Sequence, residues 1–156
     1  MPGYRRIARL QALQPAGHAI CSCLFLRCTR HLQLAVDYGE GKPPLDKVKR
    51  VAAELFDTAV NMGPETATGF LQRALNALNR AARDYPDIAV DREIGPRTLS
   101  ALDGFLAARG KGGETILLRA MEALQGERYI ALAERRPSQE AFLYGWLANR
   151  IGSDGA

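Results

Sequence analysis

No stretch of this chain reaches the ~18 consecutive apolar residues that a membrane-spanning helix requires. Stable membrane insertion is therefore not expected. Cysteine is scarce: Cys21, Cys23 and Cys28 are the only three, and they crowd into one short segment. An odd, crowded set makes a poor disulfide framework, and free thiols in a reducing compartment fit it better. With His18 and His31 they can be drawn as a zinc cluster. The C-x-C-x4-C spacing is not a finger spacing, however, and no second cysteine pair follows. No metal and no cofactor is expected. Both histidines lie in that same front piece, so Ser22, Ser100, Ser138 and Ser153 lack His and Asp partners for nucleophilic work. There is no glycine-rich phosphate loop. Serine or cysteine hydrolysis and nucleotide chemistry both lack support.

What is present is a chain of 156 residues, 47% hydrophobic, which is enough for one domain with a core. Its charge is uneven. Residues 1–50 hold nine Lys/Arg against three Asp/Glu, and residues 51–156 hold twelve against fourteen. The basic surplus belongs to the front third. It suits either an anionic partner such as cell-wall polymer, nucleic acid or lipid, or a solvated tail. Residues 4–14, YRRIARLQALQ, can form a basic amphipathic helix that lies on a membrane surface or docks on a protein. The apolar run Ala19–Leu26 is short and meets Arg27 and Arg30 at once, so no secretion signal is expected. Residues 18–38 have no clean period. The stiff loop GEGKPPLD (39–46) then separates an atypical basic segment, 1–46, from a regular body, 47–152.

The body is organised around Glu54–Asn76, two helices broken at Met62-Gly63-Pro64. Leu55, Phe56, Ala59 and Val60 recur at helical spacing. Gly63 suits a helix stop and Pro64 a first helical residue. The expected helices are 47–62, 64–83, 96–109, 114–134 and 138–151. The loop 84–95 has room for a short extended piece at Ile88-Ala89-Val90. Expected apolar stripes are Phe70, Leu71, Ala74, Leu75 and Leu78; then Leu99, Leu102, Phe105 and Leu106; then Ile116, Leu117, Ala120, Leu124 and Ile130; then Phe142, Leu143, Trp146 and Leu147. The fold class is mostly α.

The motifs FDTAVNMGP (56–64), FLQRALN (70–76), IGPRTLSAL (94–102) and the run 117–151 resemble the C-terminal part of glycoside hydrolase family 108. That family holds phage-type endolysins and bacterial secretion activators, and this portion is described there as a predicted peptidoglycan-binding domain. The resemblance implies a helical, lysozyme-like C-lobe of about five helices acting on bacterial cell wall. The implied partner is bacterial peptidoglycan, not nucleic acid. The implied setting is cytoplasmic synthesis with action at the wall after export or lysis, as a monomer or weak dimer.

The text Leu71-Gln72…Asp91…Ile94-Gly95-Pro96…Thr98 is also similar to wider peptidoglycan-binding repeats, where Asp-Gly-x-Ile/Phe-Gly-Pro-x-Thr is usual. Such a loop needs a tight turn, a proline opening a helix, and a threonine whose hydroxyl can cap it. Here Arg92 stands at the usual glycine. Gly63, Asp91, Gly95, Pro96 and Thr98 are the structural motif residues this implies.

The family's catalytic glutamate lies in an N-terminal stretch resembling Glu-Gly-Gly-Tyr, and residues 1–50 contain no match. Glu40, in Gly39-Glu40-Gly41-Lys42, is the nearest imitation, without the aromatic. The front third reads as a replaced, truncated or out-of-frame catalytic lobe. Glycoside hydrolysis needs a proton donor in an apolar, partly dry pocket. Glu54 and Asp57 sit on one helix and cannot straddle a sugar ring. The expected function is a peptidoglycan-binding module without its own acid. An active N-acetylmuramidase and a basic docking module are the alternatives. Asp57, Asn61, Gln72, Gln125 and Tyr129 are the candidate substrate-binding residues. Each also has a plain structural use: helix anchoring, helix closure, loop bonding or core-edge packing.

Overall fold

A computed structural model describes residues 45–152 of the chain. These residues form five α-helices: α1 (Leu45–Met62), α2 (Pro64–Leu78), α3 (Pro96–Arg109), α4 (Gly113–Arg135) and α5 (Glu140–Arg150). One-turn 3-10 segments, Gly110–Gly112 and Pro137–Gln139, precede α4 and α5. Helices α1, α2 and α4 pack mutually, α3 lies against α2 and α4, and α5 lies on α4. The mostly-α expectation is met. Among the described residues no helix is long and apolar enough to cross a membrane. The cysteines, the segment 4–14 expected to be helical and Glu40 lie outside the described residues.

The break at Met62-Gly63-Pro64 occurs as the residue types dictate. Gly63 takes φ 88°, a left-handed value that a side chain resists. Its N–H donates to Ala59 O at 3.0 Å, closing α1, and its carbonyl accepts from Ala67 N at 3.2 Å, opening α2. Pro64 sits at the first turn, where its missing N–H costs nothing. The core below is built from Val51 of α1, Leu71 and Leu75 of α2, Leu102 and Phe105 of α3, and Leu117 and Met121 of α4.

Helix ends elsewhere fall within two residues of expectation, but two features between α2 and α3 differ. Helix α2 stops at Leu78, five residues before position 83. Its last carbonyls are taken by side chains from elsewhere: Tyr85 Oη donates to Leu75 O at 2.7 Å and Arg109 donates to Leu78 O at 2.6 Å. Asn79 is buried, accepts from Ala82 N at 3.0 Å and donates to Asp87. The chain then turns left-handed at Arg80, Ala81 and Ala82, with φ of 56°, 57° and 59°. The second change is at Ile88-Ala89-Val90, where no strand forms. Asn76 takes the strand partner's role. Its amide donates to Ile88 O at 2.7 Å and its oxygen accepts from Ile88 N at 3.0 Å.

Four residues expected in apolar stripes are exposed instead: Val60, Ile116, Ile130 and Phe142. Helical geometry explains the first three. Val60 lies half a turn from buried Val51. On α4 the inward stripe runs Leu117, Met121, Gln125, Tyr129, and Ile116 and Ile130 lie on the opposite side, each about 160° from its centre. Phe142 is displaced because α5 packs chiefly on α4 and buries none of its residues fully.

Candidate functional site

Two places gather the polar residues singled out by the sequence. The first is the loop between α2 and α3. Gln72 has no exposed surface and makes four hydrogen bonds. Its amide nitrogen faces Asp91 Oδ1 at 2.7 Å, Glu93 O at 3.0 Å and Thr98 Oγ at 3.1 Å. Its oxygen accepts from Arg92 N at 2.9 Å. An NH2 group carries two protons, so one of the three acceptors shares. Asp91 Oδ1 also accepts from Glu93 N at 2.9 Å, closing a local turn. The Glu93 amide, with Gln72 behind it, holds the Asp91 carboxyl below the usual carboxylate range. Arg92, at the position where the repeat pattern has glycine, is left-handed with φ 65°. The turn survives the departure from the pattern because Asp91 and Gln72 bond on both sides of it.

Gly95 precedes α3 in extended conformation and Pro96 opens the helix. Thr98 does not cap α3, as its position in the motif implied. It lies two residues past Pro96, inside the first turn, and its buried hydroxyl donates back to Glu93 O at 3.3 Å. Helix α3 has no side-chain cap.

The second place is the junction of α1, α4 and α5. Asp57 is paired with Arg150 at 3.2 Å, and both side chains are mostly covered. These residues are 93 positions apart, and nothing in the sequence marked Arg150 as a partner. Asn61 is exposed and donates to Asp57 O at 2.7 Å, bracing the last turn of α1. Tyr129 is buried and within electrostatic reach of Arg150, Asp57 and Glu54. Burial pushes its hydroxyl above the ordinary tyrosine pKa. Gln125 is fully buried, donates to Tyr129 Oη at 3.4 Å, and leaves its own oxygen without a hydrogen-bond partner. Glu54 and Glu122 are buried beside them. Glu54 accepts from Thr58 Oγ at 3.3 Å, and Glu122 from Gly152 N at 3.3 Å.

From this junction a column of rings leads to the surface. Tyr129 stacks on Trp146 with centroids 5.1 Å apart, and Trp146 on Phe142 at 6.1 Å. The inner ring is sealed, Trp146 is half-buried, and Phe142 is 56% exposed. Sequence reasoning placed Phe142 and Trp146 together in packing and missed that the column opens outward. The signal was available: residues 141–149, AFLYGWLAN, carry no charge although they form a surface helix.

At the far end of the bundle Leu78, Phe105, Arg109 and Ile116 wall a shallow concavity of about 530 Å³. Its described lining offers one cation and no carboxylate. The sequence candidates are thus brought together in two sets, Gln72 with Asp91 and Thr98, and Asp57 and Asn61 with Gln125 and Tyr129.

Comparison with known proteins adds a family. Residues 66–151 match the family model described as a predicted peptidoglycan domain, spanning α2 from its third residue through the end of α5. No curated protein matches the chain.

Proposed function

Because this chain belongs to the predicted peptidoglycan domain family, we propose that it holds bacterial cell wall through the α1–α4–α5 junction, as the C-terminal module of a lysozyme-like, family-108-type hydrolase. The family match over residues 66–151 supports the cell-wall partner; the junction is chosen because it gathers Asp57, Asn61, Gln125 and Tyr129. In it Asn61 and the Asp57–Arg150 pair stand at the surface end, and the sealed residues act from beneath. Gln125 and Tyr129 set the height and angle of Trp146. Gln72 fixes the Asp91–Thr98 turn that launches α3.

We infer binding without hydrolysis. A proton donor must reach the scissile oxygen from a side chain that opens onto the substrate. Glu54 and Glu122 are buried, with oxygens engaged by Thr58 and Gly152, and Asp57 is neutralised by Arg150. The phage-lysin and secretion-activator context rests on the motif resemblance.

Co-sedimentation of the full chain with insoluble peptidoglycan tests the binding. Retention well above that on cellulose is expected, and no enrichment refutes it in favour of a basic docking module. A zymogram on cell walls tests the second half. Clearing that vanishes in Glu40→Gln means an active muramidase and overturns the acid-free reading.

A further inference from the structure

We propose that the outer face of α5, a shelf made by Phe142, Gly145, Trp146 and Asn149, is the glycan-reading surface, and that it takes the uncharged N-acetylhexosamine chain of peptidoglycan in preference to its peptide stems. This deepens the reading above and rests on it.

Three observations converge. The first is the ring column. Phe142 is exposed but held in place, stacked on Trp146, which is stacked on sealed Tyr129. A pre-ordered aromatic face presents apolar area at little entropic cost, which suits the C–H faces of pyranose rings. The second is shape. At 100° per residue, positions 142, 145 and 149 fall on one exposed strip of α5, with 146 at its edge. A Cβ placed on Gly145 meets nothing within 4 Å, so the strip is open above the backbone between the aromatic pair and Asn149. A flat step beside a ring is the outline a sugar needs.

The third is charge. No Asp, Glu, Lys or Arg occurs from 141 to 149, and Arg150 is neutralised by Asp57 at 3.2 Å. A surface made for the carboxylate-bearing stem would present unpaired cations. This one offers apolar rings and an amide, which match the neutral, acetamido-bearing glycan. Asn149 braces the step by donating to Gly145 O at 2.8 Å. Tyr144, although more exposed, projects from the opposite side of α5 and takes no part.

Trp146 is the chain's one tryptophan, so its emission reports on this shelf alone. The full chain is titrated with an N-acetylglucosamine tetramer and, separately, with free stem peptide. Saturable change in Trp146 emission with the sugar and none with the peptide is expected. Phe142→Ala and Gly145→Leu should each weaken that response roughly tenfold or more. Gly145 faces open solvent and Phe142 is mostly exposed, so neither substitution opens the core, and far-UV circular dichroism checks this; because Phe142 stacks on Trp146, the sugar-induced change is read against each variant's own resting emission. Gly145→Leu fills the step without removing a ring, and so separates loss of shape from loss of stacking. A response to peptide but not to sugar overturns the proposal. So does undiminished peptidoglycan retention in both variants; in that case cell-wall binding stands and the shelf fails. Emission that changes with protein concentration alone, alongside a dimer in sedimentation, also overturns it, because the shelf is then covered by a second copy. No retention of the unsubstituted chain defeats the cell-wall reading itself.

Discussion

Replacing Gln72 by methionine should cost about 2–3 kcal/mol. Methionine has nearly the same length and volume, so the cavity contribution is small and the polar loss stands alone. The bond from the Gln72 amide to the Asp91 carboxylate, 2.7 Å long, is also lost, but that carboxylate is exposed and turns to water instead. The hydrogen bond that Arg92 N donates to Gln72 Oε1 at 2.9 Å adds about 1 kcal/mol, and losing it leaves that N–H without its acceptor. Glu93 O and Thr98 Oγ lose less, because they keep each other at 3.3 Å. With the penalty for the orphaned N–H, a total near 2–3 kcal/mol is a substantial part of the ~5–15 kcal/mol that a domain of this size commands. Urea denaturation measures it, and hydrogen exchange at Arg92 and Glu93 localises it.

Gln72→Glu sharpens the test through pH. The substituted oxygen would face Asp91 Oδ1 where the amide now donates, and two adjacent carboxylates raise one pKa. A carboxyl raised in the folded state binds its proton there more tightly than in the unfolded chain. The variant's stability should therefore fall as pH rises from about 4 towards 7. The unsubstituted protein should instead hold its stability over that range and lose it only at lower pH. Asp91 is depressed in the fold, so its contribution is present above the ordinary carboxyl range and lost as pH falls below it. A Gln72→Met variant within about 0.5 kcal/mol of the parent, or a Gln72→Glu variant with unchanged pH dependence, refutes the claim that Gln72 anchors this loop.

Ala81→Gly should stabilise the protein by about 0.5–1 kcal/mol in the same urea assay. A left-handed alanine costs about 1–2 kcal/mol, and the extra freedom of unfolded glycine returns part of that. Gly113→Ala should destabilise by about 1–2 kcal/mol despite alanine's better helix propensity. The new Cβ would stand 2.5 Å from Arg109 Cβ, close to the backbone, so the junction between α3 and α4 must shift; an unchanged melting temperature would contradict this. Burial pushes Tyr85 up to about 12, and its hydroxyl donates to Leu75 O. The unfolded chain releases that proton near 10, so stability should drop between pH 10 and about 12. Tyr85→Phe should flatten the drop, which alkaline unfolding followed by ellipticity can show.

Local chemistry alone set much of this protein. Gly63 and Pro64 fix the break between α1 and α2, Pro96 and Gly110 bracket α3, and the spacing of Leu71, Leu75, Leu102, Phe105 and Leu117 selects the buried stripes. These are properties of neighbouring residues and of the 3.6-residue period, so they can be read without knowing what packs where. The tertiary structure decided the rest, because it depends on partners far away in the chain. Helix α2 ends at Leu78 because Tyr85 and Arg109 claim its last carbonyls. Ile88 makes no strand because Asn76 satisfies both its backbone groups. Asp57 acquires its meaning only when Arg150 arrives from the last helix. Phe142 has the right period for burial and is exposed because no described helix lies over that side of α5. Periodicity assigns an apolar residue to a face, but only the completed packing decides whether that face is covered.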